Sequence, residues 1–147
     1  MNADDTEAPP PRGVREAEHS GDVALDLWGA THAELLARAT EGLCRLMTWS
    51  AVEPVSSRRL EVRAADFTDL LVDWLSAVIL SAATHAELYA GATVHVSDDG
   101  LATGVLHASP LDPAQHRLRF DVKAATYHGL MVEQTAGGYR ARVVFDL

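Results

Sequence analysis

The sequence predicts an α+β domain in which two amphipathic helices pack on a mostly antiparallel sheet or on two sheets. Three observations predict it. Apolar residues recur at helical spacing in two stretches, 32–47 and 67–83. Alternating apolar and polar residues mark strands before and after the first helix and throughout the second half. Asp99-Gly100 and Gly137-Gly138 divide that second half into two hairpins.

Each element has a local cause. Residues 1–17 are polar and acidic and carry Pro9-Pro10-Pro11, so they read as a disordered tail before a single domain at 18–147. Val23, Leu25 and Leu27 alternate with Asp22, Ala24 and Asp26 as a strand that Gly29 ends. Thr31, three residues before Glu34, is a capping-box signature for the first helix. Leu35, Leu36, Ala39, Leu43, Leu46 and Met47 form that helix's apolar face. A short strand follows at about 58–65 around Leu60 and Val62. Asp66, with Asp69 three residues on, opens the second helix, whose Leu70, Leu71, Trp74, Leu75, Val78 and Ile79 mark it as the central packing element. Strands 88–96 and 101–107 flank the first hairpin turn, and 126–134 and 139–147 flank the second. Pro110 and Pro113 turn the stretch between them into a loop. No internal repeat or linker divides the chain.

The composition narrows the function. The 147 residues carry 12 Lys and Arg against 21 Asp and Glu, a net charge of −9. Phosphate neutralisation needs clustered basic residues, so direct, tight binding to free nucleic acid is disfavoured. An acidic protein can still act on RNA through a basic partner. The single cysteine, Cys44, rules out an intrachain disulfide and a Cys-rich zinc site. It sits beside Leu43 on the first helix and reads as a packed thiol. Residues 1–15 hold no apolar stretch of the kind a signal peptide needs. No apolar run approaches the roughly 20 residues of a membrane span, so the expected setting is cytoplasmic.

Chemistry-bearing residues are few. Among seven histidines none forms His-Glu-x-x-His, and no pair lies four apart on a helix. His32 and His85 fall near helix ends, where exposure is common, and His95 and His107 lie on hairpin strands as surface or half-buried residues. No Gly-x-Gly-x-x-Gly, P-loop or Gly-x-Ser-x-Gly is present. The last strand says more. Tyr139, Ala141, Val143, Phe145 and Leu147 share one face, and Arg140, Arg142, Val144 and Asp146 the other. Asp146 is followed only by Leu147 and its terminal carboxylate, so two anionic groups stand one residue apart. A hard cation with oxygen ligands would screen them, and Asp22 could join if the first and last strands are neighbours. Two solvated strand-end aspartates are the alternative. A second stretch, from Asp121 to Leu130, gathers Lys123, Thr126, Tyr127 and His128. For His128 a general acid–base role and a structural hydrogen bond both remain open.

Five segments in order resemble the archease family. They are Glu18-His19-Ser20-Gly21-Asp22-Val23, Leu46-Met47-Thr48, Asp69-Leu70-Leu71-Val72-Asp73-Trp74-Leu75, Lys123-Ala124-Ala125-Thr126-Tyr127-His128-Gly129-Leu130, and the terminal stretch Tyr139 to Leu147. The resemblance implies a non-enzymatic accessory protein for an RtcB-type RNA ligase. That enzyme joins RNA ends in tRNA splicing and RNA repair, using GTP and manganese. An archease promotes its guanylylation and its multiple turnover, and meets tRNA or broken RNA only through it. The resemblance also implies a divalent ion, calcium in the family, held by Asp22, Asp146 and Leu147. Lys123 and His128 match the motif as partner-interaction or motif residues. Two positions depart from the pattern: Ser20-Gly21 replaces Thr-Ala before Asp22, and Asp121 stands where Glu is usual. A general chaperone or interaction module, or a metal-dependent hydrolase, are the alternative readings.

Overall fold

Short polar side chains start both helices. The computed structural model describes residues 13–19 and 22–147 and, for Glu18 and His19, the backbone alone. In chain order the elements are β1 Gly13–His19, β2 Asp22–Gly29, α1 His32–Met47, β3 Ser56–Arg63, α2 Phe67–His85, β4 Glu87–Val96, β5 Leu101–Pro110, β6 Ala124–Thr135 and β7 Gly138–Asp146. The Thr31 hydroxyl accepts the Glu34 amide at 3.1 Å, and the Glu34 carboxylate reaches back to the Ala30 amide at 3.2 Å. The box therefore closes one residue earlier than the usual reciprocal pair. Asp66 caps α2 by accepting the Asp69 amide at 2.8 Å.

The strands form two antiparallel sheets, ordered β1-β2-β7-β6 and β3-β5-β4. The two helices and the α+β class are as the periodicity predicts, with one strand more. β1 corrects the tail boundary, since Gly13–Ala17 lies inside the span that composition assigns to disorder. Val14 is the only large apolar residue of this strand, so burial could not announce it. Pairing along β2 and ion pairs from Arg15 to Asp26 and from Glu16 to Arg119 hold it instead. Residues 1–12, the rest of the expected tail, lie outside the described residues.

α1 lies against β4 and β2, and α2 against β6 and β3. Leu35, Leu36, Leu43 and Leu46 of α1 meet Leu70, Leu71, Trp74, Leu75 and Val78 of α2 in the core. Trp74 is fully buried, and its Nε1 donates to Thr40 Oγ1 at 2.9 Å. The Thr40 hydroxyl in turn donates to the Leu36 carbonyl at 2.8 Å. This relay satisfies an indole that would otherwise lose its water partner uncompensated. By length and composition alone α2 is apolar enough to cross a membrane, contrary to the expectation from sequence. Leu70, Leu71, Val72, Trp74, Leu75 and Val78 are buried here, whereas Leu80 is exposed.

Two features set up the functional ends. Gly138 opens β7 at φ 146°, packed against the Gly29 and Ala30 backbone where a side chain has no room. Past Pro113, the stretch read as a loop is clipped to the end of α1. The Trp49, Arg119 and Phe120 amides donate to the Arg117, Met47 and Leu46 carbonyls at 2.9, 3.0 and 2.9 Å.

Candidate functional site at the end of the four-stranded sheet

β2 and β7 are neighbours at the centre of their sheet, in a register pairing Val23 with Phe145 and Ala24 with Val144. The Val23–Phe145 pair is the last of the register; one residue beyond it lie Asp22, the first residue of β2, and Asp146, the last of β7. Flanking strands complete the row, since His19 pairs with Asp22 and Ala124 with Asp146. The Lys123 amide donates to the Asp146 carbonyl at 2.9 Å, which fixes the strand end just before Leu147.

The row thus brings two side-chain carboxylates to one end of the sheet, with Leu147 next in sequence. Both are hard oxygen donors, the chemistry that suits calcium or magnesium rather than zinc or copper. Among the described residues no group of three His, Cys, Asp or Glu side chains is assembled as a metal cage. Two side-chain carboxylates alone fall short of the roughly six to eight oxygen ligands a calcium ion takes. Asp146 and Leu147 are exposed and Asp22 half-buried, so the row is open to solvent. Ser20 and Gly21 lie outside the described residues.

The two motif residues separate. The Lys123 backbone belongs to the row, with its side chain exposed. His128, also exposed, stands in an irregular stretch of β6 between Thr126 and Met131, where Gly129 turns at φ 66°. Tyr127 of that stretch donates its hydroxyl to Asp69 Oδ1 at 2.7 Å. The Asp69 hydrogen bond, then desolvation and the charges of Asp69, Asp73 and Asp66, push the Tyr127 phenol up to about 12. This contact joins the Lys123–Leu130 motif to the second-helix motif.

Comparison with known proteins decides the family. The model of the Archease protein family (MTH1598/TM1083) matches residues 15–147. The chain belongs to the archease family. An archease of Methanopyrus kandleri is 34% identical over 136 residues, covering 90% of this chain and 97% of its own. One from Methanothermobacter thermautotrophicus is 29% identical, covering 92% and 99%. The solution structure of Methanobacterium thermoautotrophicum protein 1598 superposes with a TM-score of 0.77 at 28% identity, covering 92% of this chain and 99% of that one. The crystal structure of a Thermotoga maritima protein described as an archease, possible chaperone, shares the fold at a TM-score of 0.65 and 19% identity, covering 90% and 96%.

Within this archease fold, residues not singled out from sequence lock the strands behind the row. Asp26 is 1% exposed and accepts from Arg142 at 2.7 and 2.9 Å and from Arg15 at 3.2 Å. Burial alone would raise its carboxyl, but the bonds from Arg142 and Arg15 outweigh it and hold the group below its ordinary value. A parity signal was available, because Asp26 and Arg142 sit at like-facing positions of two strands. His32 corrects the expectation of an exposed helix-end histidine. It is half-buried, stacked on Phe67 at 3.9 Å between ring centroids and against Tyr139 at 4.3 Å. Desolvation there lowers its pKa. Cys44 is buried as expected.

Proposed function

We propose that this archease-family chain is a non-enzymatic activator of an RtcB-type RNA ligase, promoting its guanylylation and multiple turnover in tRNA splicing or RNA repair. The observation that supports the reading is the β2–β7 register in a member of this family, whose last pair, Val23 with Phe145, leaves Asp22 and Asp146 as the next residues at that end of the sheet. Asp22, Asp146 and the Leu147 carboxylate would hold a divalent cation, calcium by donor type and by the family pattern. Such an ion neutralises converging carboxylates and orders the terminus. The Lys123 amide supports it by anchoring the Asp146 carbonyl.

The net charge of −9 suits docking on a basic, RNA-binding partner, since complementary fields steer association. RNA is then met through the ligase, in the cytoplasm and without a membrane. A metal-dependent hydrolase is the alternative reading, and turnover of phosphoesters by the isolated protein with manganese would favour it.

Substoichiometric addition of this chain to an RtcB-type ligase with GTP and manganese tests the proposal. Ligase–guanylate should form faster and ligation should continue past one turnover. No change in either overturns it. Suppression of aggregation of unrelated proteins without a ligase effect would favour a general chaperone instead.

A further inference from the structure

A second constellation lies at the end of α1, away from the carboxylate row. Trp49 is 59% exposed, whereas Trp28 and Trp74 are 4% and 0% exposed. Its backbone is fixed by the hydrogen bond to the Arg117 carbonyl, beside the bridge between Thr48 and Leu118. Arg117 and Arg119 flank Leu118 in the loop segment bridged to Thr48. Their guanidinium carbons stand 6.0 and 4.1 Å from the indole centroid. Arg119 is committed elsewhere, donating to Glu16 at 2.6 and 2.9 Å and to the Arg45 carbonyl at 3.1 Å. The Arg117 guanidinium makes no hydrogen bond or ion pair among the described residues. Arg45 is 62% exposed, with one contact to Glu41 at 3.3 Å. A cavity of about 350 Å³ opens beside the indole, lined in part by Arg45, Glu41, Thr48, Ser50 and Tyr89, with Arg117 over the indole but outside that lining.

The local charge runs against that of the whole molecule. Arg38, Arg45, Arg117 and Arg119 stand here against Glu16 and Glu41, in a chain of net −9. An exposed, rigid indole offers a flat π-surface, on which nucleobases stack without regard to sequence. A guanidinium with uncommitted donors offers the forked geometry that binds phosphate. The cavity falls at the lower end of the range for small-ligand pockets. A long nucleic acid would meet the repulsive field of the rest of the surface. An acidic peptide would use the arginines but leave the indole face without a stacking partner.

We propose that Trp49 and Arg117 form a binding site for a single unpaired nucleotide, its base stacked on Trp49 and its phosphate held by Arg117 and Arg45. The same chemistry is presented by a free mononucleotide and by the terminal residue of a single strand. The inference rests on this geometry and does not depend on the ligase reading.

Trp49 is the one exposed tryptophan, so its fluorescence reads occupancy directly. The full chain is titrated at low salt with uridine 5′-monophosphate, with a 5′-phosphorylated pentauridylate, and with uridine. Saturable quenching by either phosphorylated probe is expected, about tenfold weaker for uridine and for Arg117→Ala, the size of one lost charge-assisted bond. Trp49→Phe should abolish the quenching. Far-UV circular dichroism should show both exposed-site variants folded. Quenching by the pentamer alone assigns the site to a strand end, and equal quenching by the monophosphate assigns it to free nucleotide. Two results overturn the proposal: no saturable change up to about 10 mM of either phosphorylated probe, or affinity unchanged in Arg117→Ala. A Glu-Leu-Glu-Glu peptide that quenches where both nucleotide probes fail would mark a protein-docking surface and also overturn it.

Discussion

Arg142 donates from Nε and Nη2 to both carboxylate oxygens of Asp26, at 2.7 and 2.9 Å, on the rung that joins β2 to β7. Arg15 adds a third bond from β1, so one buried carboxylate ties three strands together. The same β2–β7 register ends at Val23 and Phe145, next to Asp22 and Asp146. A fault at Asp26 would therefore reach the row at the sheet end.

Asp26→Asn should destabilise the protein by about 2–3 kcal/mol at pH 7, because two arginines lose the charge they were built around. Urea denaturation measures it. The pH dependence has a definite sign. The folded-state pKa of Asp26 lies below its ordinary value, so the contribution is fully present above about pH 4 and is lost as pH falls through the folded value. Wild type should weaken more steeply than Asp26→Asn on the acid side. Identical midpoints at pH 7 and parallel acid limbs would contradict this account.

Thr40→Val should cost about 2 kcal/mol by stranding Trp74 Nε1 in the core. In a Trp74→Phe background the same change should cost less, since no indole donor is left to strand. A double-mutant cycle by denaturant unfolding reads the coupling, and additive effects would exclude the relay.

Cys44 should resist iodoacetamide at pH 8 in the native protein. Burial first, with the Glu41 charge adding, pushes its thiol up to about 12, so almost no thiolate is present. One equivalent should react once denaturant is added. Native labelling at the denatured rate would contradict the packed-thiol reading.

Local chemistry made much of this fold legible. Thr31 with Glu34, and Asp66 with Asp69, announced both helix starts, and Gly100 and Gly138 the hairpins. Alternation placed Asp146 and Arg142 on one face. The missing parts depend on pairing at a distance. β1 is held by Asp26 and Arg119, which lie 11 and 103 residues from Arg15 and Glu16. The clip between 115–120 and the end of α1 combines backbone bonds with bonds of the Thr48 and Ser50 hydroxyls, across 65 or more residues of sequence. His32 meets Phe67 and Tyr139 only because three elements converge. Asp22 was legible as a candidate, but that β2 and β7 are neighbours required the strand order.

Calcium titration by calorimetry should detect the carboxylate row. Asp22→Asn and Asp146→Asn should each weaken binding by at least about tenfold, since charge count sets affinity at such sites. A peptide tag fused after Leu147 should weaken it too, by replacing the terminal carboxylate with an amide. Unchanged affinity in the tagged protein would remove Leu147 from the ligand set.

The most direct test compares wild type with Asp146→Asn at substoichiometric dose, following the initial rate at which radiolabelled GTP guanylylates an RtcB-type ligase. The account predicts that wild type accelerates guanylylation catalytically and that Asp146→Asn, folded by circular dichroism, does so at least about tenfold less. Equal stimulation by the two proteins would contradict the role assigned to the row, and no stimulation by wild type would contradict the function itself.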